Sequence, residues 1–364
     1  MKSVLKKIAS AKILSSLFVL GLILLFNFVI QPDFFDIKVL CSTCPEEAVD
    51  FSCIYHGGRL FGQLIDIMNR SIPYMLLAFG MTLVIATGGV DISVGGVMAI
   101  SGCLALRLIR GNEITPNAES ATPLFLVFFL PLVVSVICGL WNGILISKLK
   151  MQPVIATLVL MVAGRGIANV IVESKSLTTK YTPYGVYGQG FLVGLPVAIF
   201  VALAVFLLFW FVSRKTAAGL FIESIGINYS AAKYSGIKSD LIIILIYGLS
   251  GLCAGLSGLL YTSNLLYANS NQIGLNYELD AILAVVIGGT SMTGGKFYLG
   301  GSLVGALILM ALTKTIYSFN VAPEYTMVIK AAVVVVIVLI QSPVVKKFVS
   351  SIFRLKKKEV VISE

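Results

Sequence analysis

The chain has 364 residues, of which 58% are hydrophobic and only 12% are charged, and its formal net charge is +10 at pH 7. An average soluble protein carries about twice that share of charged residues, and no soluble domain of ordinary size fits between the apolar segments. We therefore predict an all-α integral membrane protein with one polytopic domain. The positive charge fits the cytoplasmic side of a membrane protein better than nucleic-acid binding.

The sequence predicts about ten transmembrane helices, some of them broken or short and glycine-rich, with both termini in the cytoplasm. In this topology 17 of the 27 Lys and Arg residues lie on the side of the termini and 7 on the other side, as positive-inside orientation requires. The eighth span is short, so we expect it to cross only half of the bilayer. The spans are 13–30, 72–88, 94–109, 123–147, 153–172, 191–212, 241–262, 279–292, 297–317 and 325–343.

The predicted organisation has four parts. Residues 1–30 form a basic N-terminal segment and the first transmembrane helix, which no small-residue cleavage site follows, so we expect it to be retained. Residues 31–71 form an extracytoplasmic loop, and residues 72–343 form the transmembrane core. Residues 344–364 form a basic cytoplasmic tail that would lie against anionic lipid headgroups.

The extracytoplasmic loop contains Cys41, Cys44, Cys53 and His56, in the spacing C-x2-C-x8-C-x2-H. Four such ligands could hold one zinc ion tetrahedrally. A disulfide is the more frequent use of cysteines outside the cell and is favoured here, although three cysteines leave one unpaired. Free thiols in an anaerobic organism are a third possibility.

Two glycine-rich segments share one pattern: an apolar run, Gly-Gly, a short polar insert, Gly-Gly and a second apolar run. The first contains GGVDISVGG at residues 88–96, and the second spans residues 281–306. The likeness indicates an internal repeat or a chance similarity of glycine-rich helices. Irregular backbone at membrane depth survives only inside protein or beside a water-filled cavity, so we expect the first segment to lie near the functional site.

Small polar residues near these segments could line a path for a neutral, hydroxyl-rich solute. Their alternative role is hydrogen bonding between helices, and Asp91 could equally cap the helix that follows it. The candidate pathway residues are Thr87, Asp91, Ser93, Asn142, Thr290 and Ser291.

The largest predicted cytoplasmic loop, residues 213–240, is much longer than a simple connection requires. Its pattern predicts helices around 220–225 and 230–234, with Gly226 and Gly236 as breaks. Such a loop favours a docking surface for a cytoplasmic partner, and a solvated pair of interfacial helices is the alternative. The chain has no phosphate-binding loop, because Thr290 and Phe297 stand where that motif needs Gly and Ser or Thr.

Several segments resemble the permease subunits of sugar ABC importers of the ribose, xylose and galactose type. Within that family the chain is most similar to the galactofuranose transporter permeases, and the resemblance covers roughly residues 57–345. The segments are GMTLVIATGGVDISVGGVMAISG (80–102), AILAVVIGG (281–289), GRLFG (58–62), DIMNR (66–70), WNG (141–143) and MVAGRG (161–166).

The resemblance implies a non-catalytic conduit for a monosaccharide, such as galactofuranose, galactose or ribose, in the bacterial cytoplasmic membrane. It implies a partner ATPase with two nucleotide-binding modules, which would bind ATP and Mg, and an extracytoplasmic sugar-binding protein. It also implies a second permease subunit, for which it favours a different chain. The chain itself would hold no cofactor. The positions that match the ATPase-contacting region are Glu223, Gly226, Asn228, Ala231, Ala232 and Gly236.

Two other classes of protein remain to be weighed. A secondary transporter coupled to an ion gradient would normally need ionisable residues inside its spans, and here they are few. A membrane-embedded enzyme would need paired carboxylates or a nucleophile with a base. Glu278 and Asp280 are the only close carboxylate pair at a span end.

Overall fold

The computed structural model describes residues 11–30, 38–40, 59–111, 120–319 and 323–341, which form thirteen α-helices and six short strands. The strands form three antiparallel pairs, namely Lys38–Leu40 (β1) with Arg59–Phe61 (β2), Leu177–Thr178 (β3) with Tyr267–Ala268 (β6), and Phe191–Leu192 (β4) with Leu195–Pro196 (β5). The helices are Ala11–Ile30 (α1), Gln63–Ala86 (α2), Val94–Arg110 (α3), Leu124–Ser147 (α4), Pro153–Ile171 (α5), Thr182–Gln189 (α6), Val197–Lys215 (α7), Ala217–Ile227 (α8), Tyr229–Tyr234 (α9), Ser239–Leu265 (α10), Tyr277–Ile287 (α11), Leu299–Ser318 (α12) and Pro323–Gln341 (α13).

A helix lies over each of the ten predicted spans. Within the described part of the chain, six helices are long and apolar enough to cross a membrane: α2, α4, α5, α7, α10 and α12. Helices α1 and α13 contain shorter apolar stretches, Ser16–Val29 and Tyr325–Val336. Helix α11 has 11 residues. At 1.5 Å per residue it is about 16 Å long, roughly half of a bilayer core.

Helix α2 begins nine residues before its predicted start at residue 72. Its first turns are polar, but their charges are paired: Arg70 Nε lies 2.7 Å from Asp66 Oδ1, and Lys314 of α12 also pairs with Asp66. Ion pairs four residues apart stabilise a helix, so the helix extends beyond its apolar stretch. An apolar pattern alone cannot detect such a turn.

The centre of the bundle is formed by α2, α3, α10 and α12, while α4, α5 and α7 leave much of their apolar surface exposed. Small residues bring α4 and α10 into close contact. A Cβ atom on Gly139 would lie less than 3.0 Å from the carbonyl oxygen of Tyr247, and one on Gly251 equally close to that of Ser135. Glycine at such positions is the usual way for membrane helices to pack closely.

Contacts between loops define the two ends of the bundle. Residues 213–240, which we call the coupling loop, meet residues 87–93, 148–152 and 288–298 at one end of the bundle, the coupling-loop face. At the other end, the opposite face, β3 pairs with β6 and the Leu60 amide donates to the Gly194 carbonyl at 3.0 Å. Cys41, Cys44, Cys53 and His56 lie outside the described residues, as do the basic segments 1–10 and 344–364.

Candidate functional site

Residues 213–240 fold into two short helices, α8 and α9, as the sequence predicts. The Thr216 side chain caps α8 by accepting from the Ala218 amide at 3.2 Å, and the Asn228 side chain caps α9 by accepting from the Ala231 amide at 3.0 Å. Such caps satisfy amides that a helix start leaves without intrahelical partners. Gly236 has a φ of +85° and ends α9, as predicted, but Gly226 lies inside α8 and does not break it.

Gly226 is where the coupling loop touches the rest of the bundle most closely. A Cβ atom there would lie less than 3.0 Å from both the Ala86 carbonyl oxygen and the Gly295 amide nitrogen. These two atoms already form a hydrogen bond of 2.9 Å with each other. Gly294 packs against the same point, because a Cβ atom on it would lie 2.9 Å from the Gly226 carbonyl oxygen and 3.0 Å from the Gly88 amide. The coupling loop therefore contacts both glycine-rich turns through backbone atoms.

The six candidate coupling residues divide by exposure. Asn228, Ala231 and Gly236 are exposed, whereas Ala232 is buried and Glu223 and Gly226 are half-buried. Three apolar side chains that the sequence analysis did not select are more exposed: Leu220 at 66%, Ile227 at 74% and Tyr234 at 92%. The sequence feature that could have identified them is an apolar residue among polar residues in a predicted loop.

A small charged network joins the coupling loop to the turn between α4 and α5. Lys150 Nζ donates to Tyr229 Oη at 2.5 Å and to Asp240 Oδ1 at 3.1 Å, and Lys233 Nζ donates to Asp240 Oδ2 at 3.1 Å. The hydrogen bond to Tyr229 raises the pKa of Lys150, and the hydrogen bond to Asp240 raises the pKa of Lys233. Both lysines are therefore fully charged at neutral pH.

The two glycine-rich segments share one backbone turn. After α2, Gly88 has a φ of +80° and the Gly89 amide donates to the Val84 carbonyl at 3.2 Å. After α11, Gly289 has a φ of +89° and the Thr290 amide donates to the Val285 carbonyl at 3.2 Å. This is the Schellman helix ending, in which glycine takes the left-handed position. Because many helices end in this way, the shared turn agrees equally with an internal repeat and with a chance similarity of glycine-rich helices.

Asp91 organises a buried polar cluster in the turn between α2 and α3. Its Oδ1 accepts from the Ser93 amide at 3.1 Å and from the Ser93 hydroxyl at 2.5 Å, and its Oδ2 accepts from the Ser250 hydroxyl at 2.7 Å. Asn142 Nδ2 donates to Ser93 Oγ at 2.9 Å. Asp91 thus fastens the turn and ties it to α10. The cap position of α3 is Ser93, whose side chain makes no capping hydrogen bond.

Two atoms beside this cluster, Asn142 Oδ1 and Tyr247 Oη, are buried without a hydrogen-bond partner among the described residues. Tyr247 also explains the second glycine of the turn, since a Cβ atom on Gly89 would lie 2.5 Å from its hydroxyl. The sequence analysis did not select Tyr247 or Ser250. Tyr247 and Ser250 are three residues apart and so lie on one side of α10, and this spacing is the feature of the sequence that could have identified them.

The other candidate pathway residues lie apart from this cluster. Thr87 donates to the Val84 carbonyl of its own helix at 2.7 Å. The Thr290 hydroxyl accepts from the Tyr298 amide at 3.2 Å, and Ser291 bonds to Thr293 at 2.8 Å. The structure therefore brings Asp91, Ser93 and Asn142 together. Thr87, Thr290 and Ser291 instead stabilise their own turns.

Residues 63–338 match the family model described as branched-chain amino acid transport system / permease component. The chain is 45% identical over 299 residues to the galactofuranose transporter permease protein of Escherichia coli (strain K12), an alignment that covers 82% of this chain and 84% of that protein.

Two further relatives show the range of named substrates. The chain is 38% identical over 309 residues to a fructose import permease protein of Bifidobacterium longum, with 84% of each chain covered. It is 38% identical over 279 residues to the ribose import permease protein of Bacillus subtilis, covering 76% of this chain and 84% of that one. No solved structure matches the chain significantly.

Proposed function

The chain belongs to the permease-component family of the branched-chain amino acid transport type, and from that premise we propose that it forms the membrane path of an ABC importer for a monosaccharide. It is a multi-pass membrane protein, and its family and relatives are transport permeases and not enzymes. The relatives' names favour a sugar, whereas the family description names branched-chain amino acids. We take galactofuranose, galactose, ribose or a similar sugar as the substrate.

The coupling loop is the observation that carries this proposal. Its two capped helices display Leu220, Ile227 and Tyr234, and the same loop rests on both glycine-rich turns through Gly226. An exposed apolar surface on a rigid loop favours a protein partner. A partner ATPase that moved α8 would push directly on the turns that end α2 and α11. ATP and Mg would be bound by that partner.

The arrangement in the cell follows from the same proposal. The coupling-loop face is cytoplasmic, both termini lie on that side, and ten helices enter the membrane of a bacterial cell. A second permease, which we take to be a different chain, completes the path, and a sugar-binding protein delivers the solute to the opposite face. Exposed apolar residues on α4, α5 and α7 would contact lipid or that second permease.

We also propose that the Asp91 cluster lies beside the path. Asn142 Oδ1 and Tyr247 Oη have no hydrogen-bond partner in the part of the chain that the structure describes, so a passing hydroxyl could donate to them when the helices separate. The two glycine-rich turns, which α8 would move, would be stabilised by Thr87, Thr290 and Ser291.

An ion-coupled secondary transporter is the second candidate. Two acidic side chains of the described helical bundle are paired with cations: Asp66 with Arg70 and Lys314, and Asp280 with Lys330 at 2.6 Å. Glu278 is the observation in favour of this candidate, because its Oε2 is buried without a hydrogen-bond partner in the described structure. Nearby Arg165 donates to the Gly274 carbonyl at 3.0 Å.

A pull-down in mild detergent, with this chain as bait, tests the proposal. We expect an ATPase with two phosphate-binding loops and a related permease to co-purify. Replacing Tyr234, which is the most exposed of the three apolar residues, by Asp should release the ATPase but not the permease. If neither the wild-type bait nor the Tyr234→Asp bait captured an ATPase, the result would contradict the importer and favour the ion-coupled transporter.

A further inference from the structure

A cavity of about 330 Å³ opens between α2, α10, α11 and α12 near the opposite face. None of the six candidate pathway residues lines it. Ligand pockets usually measure about 300–1,000 Å³, so this one lies at the small end and would take a single ring. Its position near the opposite face matters, because the proposed function delivers solute from that side.

One wall of the cavity contains Asn69, whose side-chain oxygen is a hydrogen-bond acceptor without a donor in the described structure. Asn69 Oδ1 is buried and has no hydrogen-bond partner within the described residues. Pro73 lines the same cavity and has no N–H to donate to the carbonyl of Asn69, four residues earlier in α2. Buried polar groups are nearly always hydrogen-bonded in native proteins, and rotation of the Asn69 amide would turn this oxygen toward the cavity, where a hydroxyl of an occupant would donate to it.

Tyrosines form the second wall. The rings of Tyr74 and Tyr277 stack with centroids 4.3 Å apart, and Tyr261 meets Tyr277 edge to face at 5.8 Å. Tyr317, at the rim, is half-exposed. Tyrosine offers an apolar ring face and a polar tip. The hydroxyls of Tyr74 and Tyr261 both interact with that of Tyr277, and the C–H face of a sugar ring can rest on a ring face while its hydroxyls join this group of tyrosine hydroxyls.

The charges beside the cavity are already engaged. Arg70 and Lys314 line it, and both pair with Asp66. Lys330 Nζ lies 5.9 Å from the centroid of the Tyr74 ring and pairs with Asp280. Arg70 and Lys314 share one carboxylate, so the rim of the cavity carries one net positive charge, whereas Asn69 and the four tyrosines are uncharged and favour a neutral occupant.

The geometry points to a binding site for one neutral monosaccharide ring inside this chain, formed by Asn69, Tyr74, Tyr261, Tyr277 and Tyr317 at the opposite face. This inference deepens the proposed function and rests on it. The site would receive the ring on the side where a binding protein releases it, before the ring reaches the turns at the coupling-loop face. Specificity would then be checked twice, in the binding protein and in the permease.

Saturable binding of radiolabelled D-galactose, D-fructose and D-ribose to the purified complex, without the binding protein, tests this site. We expect at least one of these sugars to bind and unlabelled L-leucine not to compete. Asn69→Leu keeps the volume and removes the acceptor, so its Kd should rise at least tenfold, which corresponds to about 1.4 kcal/mol. Asn69→Asp keeps an acceptor and should bind more tightly than Asn69→Leu.

Two further variants make the result decisive. Asn271 is exposed and lies outside the cavity, so Asn271→Leu should bind like the wild type. Tyr317→Ala alters the half-exposed rim, where the fold tolerates a change, and it should also weaken binding; it replaces Asn69→Leu as the test if that variant cannot be purified. Wild-type affinity in Asn69→Leu or, failing that variant, in Tyr317→Ala would overturn the site, as would competition by leucine. If the binding site is overturned in this way but the complex still imports sugar with ATP, the proposed function stands.

Discussion

A methyl group at Gly226 would have no room between α8 and the two glycine-rich turns. The added carbon would lie less than 3.0 Å from Ala86 O and Gly295 N, which are backbone atoms and cannot rotate away. Overpacking costs about 1–3 kcal/mol, and fixed neighbours place Gly226→Ala at the upper end. Alanine regains up to about 1 kcal/mol of helix propensity, so the net cost is about 2 kcal/mol. The equilibrium constant between the docked and the undocked loop would then fall roughly 30-fold.

Gly300 offers a matched control for this substitution. It also lies in a helix near the coupling-loop face, but nothing lies within 4 Å of a Cβ atom built there. We expect Gly226→Ala to reduce ATP-dependent uptake by about tenfold or more in vesicles with equal amounts of membrane-inserted protein. Gly300→Ala should transport like the wild type. Wild-type uptake by Gly226→Ala would show that the close approach of α8 to the turns has no role in coupling.

Three other variants test the site. Ala232 is the buried residue of α9, so Ala232→Phe should undock the loop and abolish uptake while the protein remains in the membrane; unchanged uptake would contradict this. Asp91→Ala removes the acceptor of two buried side-chain hydrogen bonds and should cost at least about 3 kcal/mol, seen as a lower Tm in detergent, whereas Asp91→Asn should cost less. A normal Tm with lost uptake would assign Asp91 to the path alone. Tyr229→Phe should lower the Tm by an amount that is constant from pH 6 to 9. The hydrogen bond to Tyr229 raises the pKa of Lys150 in the folded protein. Its contribution to stability is therefore complete below the ordinary lysine pKa of 10.5, and it is lost only as the pH rises through the higher pKa of the folded state. A difference that changed between pH 6 and 9 would refute the lysine network.

Local patterns in the sequence predict much of this structure. A helix lies over each of the ten apolar segments, the eighth is short, and the coupling loop contains two helices. These features depend on composition and on helix signals a few residues apart. The polar first turns of α2 escaped prediction because Lys314, far along the chain, pairs with Asp66.

The site depends more on contacts between distant segments. Ser250 reaches Asp91 across 159 positions, and Gly226 meets Ala86 and Gly295 from two other parts of the chain. Glycine at residue 226 looks like a helix break in the sequence, and only the packing shows that it allows a close approach. The tyrosines of the cavity likewise come from four helices, and no spacing rule connects them.

The most direct test of the importer is sugar uptake into proteoliposomes that contain this permease with its co-purified partners and a sugar-binding protein. We expect uptake of labelled monosaccharide only with ATP and Mg on the coupling-loop side, and no effect of collapsing proton or sodium gradients. Uptake by the permease alone, without ATP and abolished by collapsing an ion gradient, would contradict the ABC importer and establish the ion-coupled transporter.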